Sequence, residues 1–324
     1  MYENINSNRR KTAAIIVLFV IFITAIGFSI GYYIDYRYGI SGGYSILLMI
    51  FALIFAAITS LGTYYFSDRV VIGLTGARPL ARDEDPRVFY AVEGLSIAAG
   101  IPMPRIYVID EPGMNAFATG RNPANSVIVL TRGLIANLDD EELKGVIGHE
   151  LSHIKNYDML LGTVIVILVG MLTVISNIIL RSFLFGGGRR SSSKSSGGGI
   201  FNILFLAVGL ILIMLSPLIA MIIRFAVNRQ REYLADSNGA LITRYPAGLA
   251  NALKKIGAYS EVRTANNATR HMFIASPLGS RNSTVFSGLF NTHPPLEERI
   301  RRLEKMALGI GVKNNGEMIE EIRK

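Results

Sequence analysis

Four stretches of this chain, residues 12–34, 44–66, 159–180 and 200–223, contain no charged side chain. Each approaches or exceeds the roughly 20 residues that a helix needs to cross a hydrocarbon core. A segment of that kind satisfies its backbone polar groups internally only as a helix, so a multi-pass α-helical membrane protein is the expected class. Half of the residues are hydrophobic and the mean hydropathy is +0.38, which opposes a reading as one or two soluble domains. Arg9, Arg10 and Lys11 precede the first stretch as they would a signal peptide. Its apolar run is too long for that, and no small-residue cleavage site precedes the second stretch, so a retained transmembrane helix is expected.

The polar parts divide the chain further. Residues 12–66 form an expected N-terminal transmembrane hairpin, followed by a cytoplasmic catalytic part over 67–158. A second hydrophobic hairpin over 159–223 carries a Gly/Ser-rich linker at 181–199, and 224–324 is a second cytoplasmic catalytic part. Within 67–158 a turn at Pro86 precedes helical spacing of Phe89, Val92, Leu95 and Ile97. "RIYVID" and "SVIVLT", at 105–110 and 126–131, are short β-rich runs. A helix should start near Asp139–Asp140, where acidic residues suit a helix N-terminus. Together these make a small α+β unit between membrane spans. "NRQREYLADSNGALI" continues in helical register after the fourth stretch, and "PLEERIRRLEKMA" reads as a charged amphipathic helix.

The net charge of +9 forms no groove interleaved with aromatics, so a nucleic-acid partner is a poor explanation. It reads better as membrane-flanking charge. Eleven Lys/Arg near span ends fall on the side of the polar parts and five on the other, which favours the cytoplasm for those parts, while the four charges after the third stretch leave open a second hairpin that is buried without fully spanning.

"GHELSHIKNYD" supplies the chemistry. His149 and His153 are at i and i+4, so on a helix both imidazoles share one face and one ion. Glu150 sits beside the first of them, placed to work on a water instead of a metal. Without cysteine, a transition-metal site must be built from His, Asp and Glu, and such a set favours zinc. Zinc with three protein ligands keeps a position open for water. Two ordinary surface histidines on an amphipathic helix would give the same pattern. A third ligand is offered by "REYLAD": if the hairpin 159–223 returns to the same side, Glu232 comes back to His153. Asp236, at i+4 from Glu232, could brace a histidine. The bland alternative is a solvated charged helix flanked by Arg229 and Arg231.

"GHELSHIKNYD", "NRQREYLAD" and "NTHPPLEERI", in that order, resemble the signatures of HtpX-type membrane zinc endopeptidases, gluzincins related to the CAAX prenyl proteases. The likeness extends to "MNAFATG" and to the four apolar stretches, and so covers most of the chain. It implies a zincin-like catalytic domain whose ligand helices run on into transmembrane segments, one Zn2+ per chain, and an active site facing the cytoplasm of the cell membrane. It implies peptide-bond hydrolysis in quality control of membrane proteins, with membrane-protein or unfolded polypeptides as substrates and the lipid bilayer as surroundings. Carried over by position, His149, His153 and Glu232 become the zinc ligands and Glu150 the general base. His293 becomes an oxyanion donor supported by Arg299, and Asn115, Ala116 and Phe117 become a strand edge that pairs with substrate. His271 matches no motif, and Asn156 and Asp158 fit helix packing or capping as well as catalysis. Two rival readings remain at this point, a zinc-binding membrane scaffold without catalysis and a prenyl-protein peptidase.

Overall fold

A computed structural model describes residues 2–165, 167–168, 229–260, 262, 272–275 and 294–309. The third apolar stretch beyond residue 168, the fourth stretch, the linker 181–199, His271 and His293 lie outside the described residues. The chain divides into two compact units. One comprises Arg10–Tyr65 and Val164–Ile223, the other Met1–Arg9, Phe66–Thr163 and Arg224–Lys324.

In the first unit run most of α1 (Tyr2–Tyr38) and α2 (Gly43–Thr75). Both are long and apolar enough to cross a membrane, with mean hydropathies of 2.8 and 2.4. Only 11% and 17% of their apolar windows are buried, whereas the core helix of a soluble protein would be mostly covered. The turn between them uses Gly39 and Gly42 at positive φ, a conformation that glycine adopts without Cβ strain. Asp35 finishes the corner by accepting hydrogen bonds from the Tyr44 and Ser45 backbone amides at 3.0 and 2.8 Å. These amides open α2 and have no carbonyl within the helix to donate to. Gly27 and Gly31, four apart on α1, let the backbones meet: a Cβ on Gly27 would stand 2.7 Å from Leu48 O, and one on Gly31 2.7 Å from Ser45 N. Small residues at this spacing are how helices approach in lipid.

The second unit is built on a four-stranded sheet of order β1-β2-β4-β3. Its strands are β1 (Arg78–Pro79), β2 (Arg105–Ile109), β3 (Ala116–Gly120) and β4 (Ser126–Thr131). β2 and β4 are parallel, and the two outer pairings are antiparallel. β4 is buried along its whole length, which explains its unbroken apolar run. Ile128 and Leu130 face a core with Val88, Val92, Leu143 and Ile147, while Val127 and Val129 face Phe117, Phe273 and Val71. Val71 belongs to α2, so that helix extends beyond the apolar stretch and its last turns pack on the sheet.

Around the sheet stand α3 (Pro86–Ala99), α4 (Arg132–Asn137), α5 (Asp140–Lys155), α6 (Arg229–Thr243), α7 (Pro246–Ala258) and α8 (Leu296–Ala307). α3 starts where Pro86 indicated, but its buried stripe is Val88, Val92, Leu95 and Ala99, and Ile97 is exposed. α5 begins with a capping box in which Asp139 accepts from Glu142 N and Glu142 accepts from Asp139 N, as the acidic run suggested.

One expectation is corrected. The helix bearing His149 and His153 does not run on into the third apolar stretch. It stops at Lys155, Asn156 caps it, and Tyr157 takes a left-handed φ of 61° before helix resumes at Asp158. The break has a use at the site described below.

Two outcomes follow. Gly31→Leu should lower the thermal stability of the detergent-solubilised protein by about 1–3 kcal/mol, the usual cost of overpacking. Gly62→Ala, where a Cβ meets nothing within 4 Å, should not lower it. On the second unit's surface, hydrogen bonds from Arg78 and Arg132 hold the Glu84 carboxyl down at about 2. Its folded value lies below the unfolded value near 4.3, so the stability it adds is present above that pH and lost as pH falls toward 2. Glu84→Gln should therefore flatten that part of the acid-unfolding profile, by a small amount because the network is exposed.

Candidate metal centre

α5 and α6 meet through glycines. A Cβ on Gly239 of α6 would lie 2.8 Å from His149 N, and one on Gly148 of α5 would lie 3.1 Å from Gly239 O. Backbone-to-backbone contact at this point lets Glu232, two turns earlier on α6, reach the histidine face of α5.

The histidines are braced from behind. His149 Nδ1 lies 3.0 Å from Asp236 Oδ1, and His153 Nδ1 lies 3.1 Å from Asp158 Oδ2. A carboxylate beside each Nδ1 favours a ring proton there, which in the metal-bound form leaves each Nε2 free to act as the ligand atom. The two Nε2 atoms are 3.1 Å apart. Glu232 Oε2 lies 3.8 Å from His149 Nε2, and its Oε1 lies 3.6 Å from His153 Nε2. All three donors fall within 4.8 Å of one another. Two imidazole nitrogens and a carboxylate converging at this range share either a proton, carried by His153 when no metal is present, or a cation, so His149, His153 and Glu232 fit a zinc ion.

The electrostatics agree. Burial pushes the Glu150 carboxyl up to about 7, with the charge of Glu232 adding to it and the Ala118 backbone amide opposing it. Burial also pushes His149 down to about 4, with the His153 and Arg299 charges adding to this against Asp236. Burial works against a charged His153, yet the Asp158 hydrogen bond and the charges of Glu232, Asp158 and Glu150 hold it up at about 9. Burial works against a charged Asp236 too, but Arg299 holds it down at about 2. Buried carboxylates on three sides of the imidazoles make a hole that favours positive charge.

Arg299 is fully buried. It donates to both Asp236 oxygens, at 2.8 and 2.7 Å, and to Ile274 O at 3.0 Å. Its Nη2 stands 3.5 Å from His149 Nε2 and its Nη1 3.8 Å from Glu232 Oε2. It therefore clamps the brace of His149 from α8, so three helices converge on one centre.

Asn115, Ala116 and Phe117 are engaged elsewhere. Asn115 Nδ2 donates to Ser260 O and Ala275 O, Ala116 O accepts from Ile274 N, and the Phe117 ring packs on Phe273 with centroids 5.0 Å apart. Ala118, the next outward-facing position of this edge strand, lines the metal pocket with Glu150, Met159, Gly162, Met272 and Ile274. Sequence reasoning missed the part of Asp158. On an unbroken helix a residue five positions after His153 would point about 140° away. Only the left-handed turn at Tyr157 brings it round, and the "NYD" after the histidines was the one available sign.

Asp158→Asn and Asp236→Asn should each weaken zinc binding roughly 10–100-fold, measured by competition with a chromophoric chelator. Gly239→Ala should do the same by prising α6 from α5, with both histidines intact.

The profile of peptidase family M48 matches residues 82–307. The chain is 42% identical over 306 residues to a protein named "Protease HtpX homolog" from Dictyoglomus turgidum, covering 94% of each chain. It is 43% identical over 313 residues to a protein of the same name from Caldanaerobacter subterraneus subsp. tengcongensis, covering 95% of this chain and 98% of that one. Among solved structures it matches the crystal structure of S. mikatae Ste24p with a TM-score of 0.45 and 20% identity. That match covers 94% of this chain and 66% of the other.

Proposed function

The chain belongs to peptidase family M48, a membrane zinc metalloprotease by its family and its apolar helices, and on that premise we propose that it cleaves membrane proteins with Glu150 as general base. The observation that carries this reading is the convergence of two imidazole Nε2 atoms and one carboxylate with a second buried carboxylate, Glu150, on the same pocket wall. Zinc held there supplies a Lewis acid for water and for the scissile carbonyl. Glu150 takes the proton of the attacking water and passes it to the leaving amine. A carboxyl that burial holds near neutrality is suited to both halves of that transfer. Asp236 and Asp158 fix which nitrogen of each histidine faces the pocket, and Arg299 keeps Asp236 charged. For His293 as oxyanion donor the proposal rests on its motif alone.

The pocket, about 70 Å³ in volume, is lined on its uncharged side by Ala118, Met159, Gly162, Met272 and Ile274. That lining accepts apolar side chains next to the scissile bond, such as membrane proteins expose when misfolded or damaged. It supports a role in their quality control. For the strand edge, we place substrate pairing at and beyond Ala118, because Asn115, Ala116 and Phe117 are already tied to Ser260, Phe273, Ile274 and Ala275. Placement in the cell membrane with the site toward the cytoplasm is supported by the Lys/Arg bias around the spans. It also fits that residues Met1–Arg9 and the metal site belong to one unit, with an even number of crossings between them.

Glu150→Gln, purified as the full chain in detergent, should keep its zinc and lose casein cleavage by about 10²–10⁴-fold. Undiminished cleavage would exclude Glu150 as the base.

A further inference from the structure

The brace on His153 does not end at Asp158. Asn8, near the start of α1, is buried although it is polar and lies just outside an apolar stretch. Its Nδ2 donates to Asp158 Oδ1 at 2.7 Å and to Asn156 O at 3.0 Å. Both acceptors belong to the turn that ends α5. Arg9, the next residue, places its guanidinium 4.6 Å from the centre of the Tyr157 ring, the residue held at positive φ between them. Arg231 Nη1 reaches Asp158 Oδ1 at 3.4 Å from the other side, leaving Oδ2 for His153.

We propose that Asn8 is a positioning residue of the metal centre: through the 156–158 turn and Asp158 it orients the His153 imidazole, so the N-terminal end of the first transmembrane helix completes the zinc site. The proposal rests on His149, His153 and Glu232 holding zinc. Its physical basis is that Asp158 can serve His153 only while the left-handed turn is kept. A carboxamide has two N–H donors, and Asn8 uses them to tie the Asn156 carbonyl at the helix end to the Asp158 carboxylate two residues on. Among uncharged side chains only the longer glutamine offers the same pair of N–H donors on one nitrogen. The consequence is that a site assembled from α5, α6 and α8 also senses whether α1 is in place. Residue 8 lies outside the 82–307 span of the family match.

The test uses the full chain in detergent. Zinc affinity is measured by competition with a chromophoric chelator, and the cobalt-substituted protein gives a d–d spectrum that reports ligand geometry. Asn8→Ala should weaken zinc binding about tenfold, the lower end of the range for an outer partner of a metal ligand, and should change the cobalt spectrum. Asn8→Asp, of equal size but facing Asp158 with a second carboxylate, should lose more. Asn8→Gln should recover part of the affinity, and Asn6→Ala, at an exposed position on the same helix, should match the wild type. Thermal unfolding of the metal-free forms separates the effect from general destabilisation. Wild-type affinity and an unaltered cobalt spectrum in both Asn8→Ala and Asn8→Asp would overturn the proposal. So would a loss equal to that of Asn6→Ala. Failure of the wild type itself to bind zinc would instead overturn the metal-site reading.

Discussion

At the centre of the second unit two imidazole nitrogens face each other from 3.1 Å, a spacing that a shared proton or a shared cation holds, and the neighbouring groups maintain it. Asp236 and Asp158 hold the protons on the far nitrogens, Arg299 holds Asp236, and the turn after α5 holds Asp158. Glu232 adds a third donor from a helix that can come close enough only because Gly148 and Gly239 lack side chains. Such an arrangement carries a cost in buried charge. One cation removes most of it, and this is why a set of buried acids and bases can be the organising point of a fold instead of a defect in it.

The centre also explains the order of the chain. The two ligand helices are separated by the apolar stretches 159–180 and 200–223, and the first ligand helix follows the hairpin of α1 and α2. Residues of the second unit come from before, between and after the apolar parts. The site is therefore assembled from segments far apart in sequence.

Much of this was legible in the sequence, for identifiable reasons. His149, His153 and Glu150 announce themselves because a 3.6-residue period makes i and i+4 neighbours on any helix. The strand at Ser126–Thr131 and the helix start at Asp139 follow from a continuous apolar run and a capping pattern, which are local. Glu232 and Asp236 needed a non-local step, the assumption that a hairpin returns the chain. The missing pieces depend on backbone geometry or on long-range contact. Asp158 acts on His153 only because the helix breaks, and helical periodicity argues against the pair. Asn8 is 150 residues from its partner, and nothing in "NINSNRR" marks which asparagine is buried. At Asn115, Ala116 and Phe117 the residues alone read as a turn between strands and only the resemblance pointed to a strand edge; Ser260, Phe273, Ile274 and Ala275 engage that end of it, and no local signal records this.

The account stands on Glu232 as the third ligand beside the two histidines, and X-ray absorption at the zinc edge tests that most directly. The full-length protein should bind one zinc with two imidazole nitrogens at about 2.0–2.1 Å and carboxylate or water oxygens at about 2.0–2.2 Å. In Glu232→Ala the imidazole contribution should persist while the zinc is lost to a weak chelator. Zinc bound by three or more imidazoles, or held equally tightly without Glu232, would contradict the account.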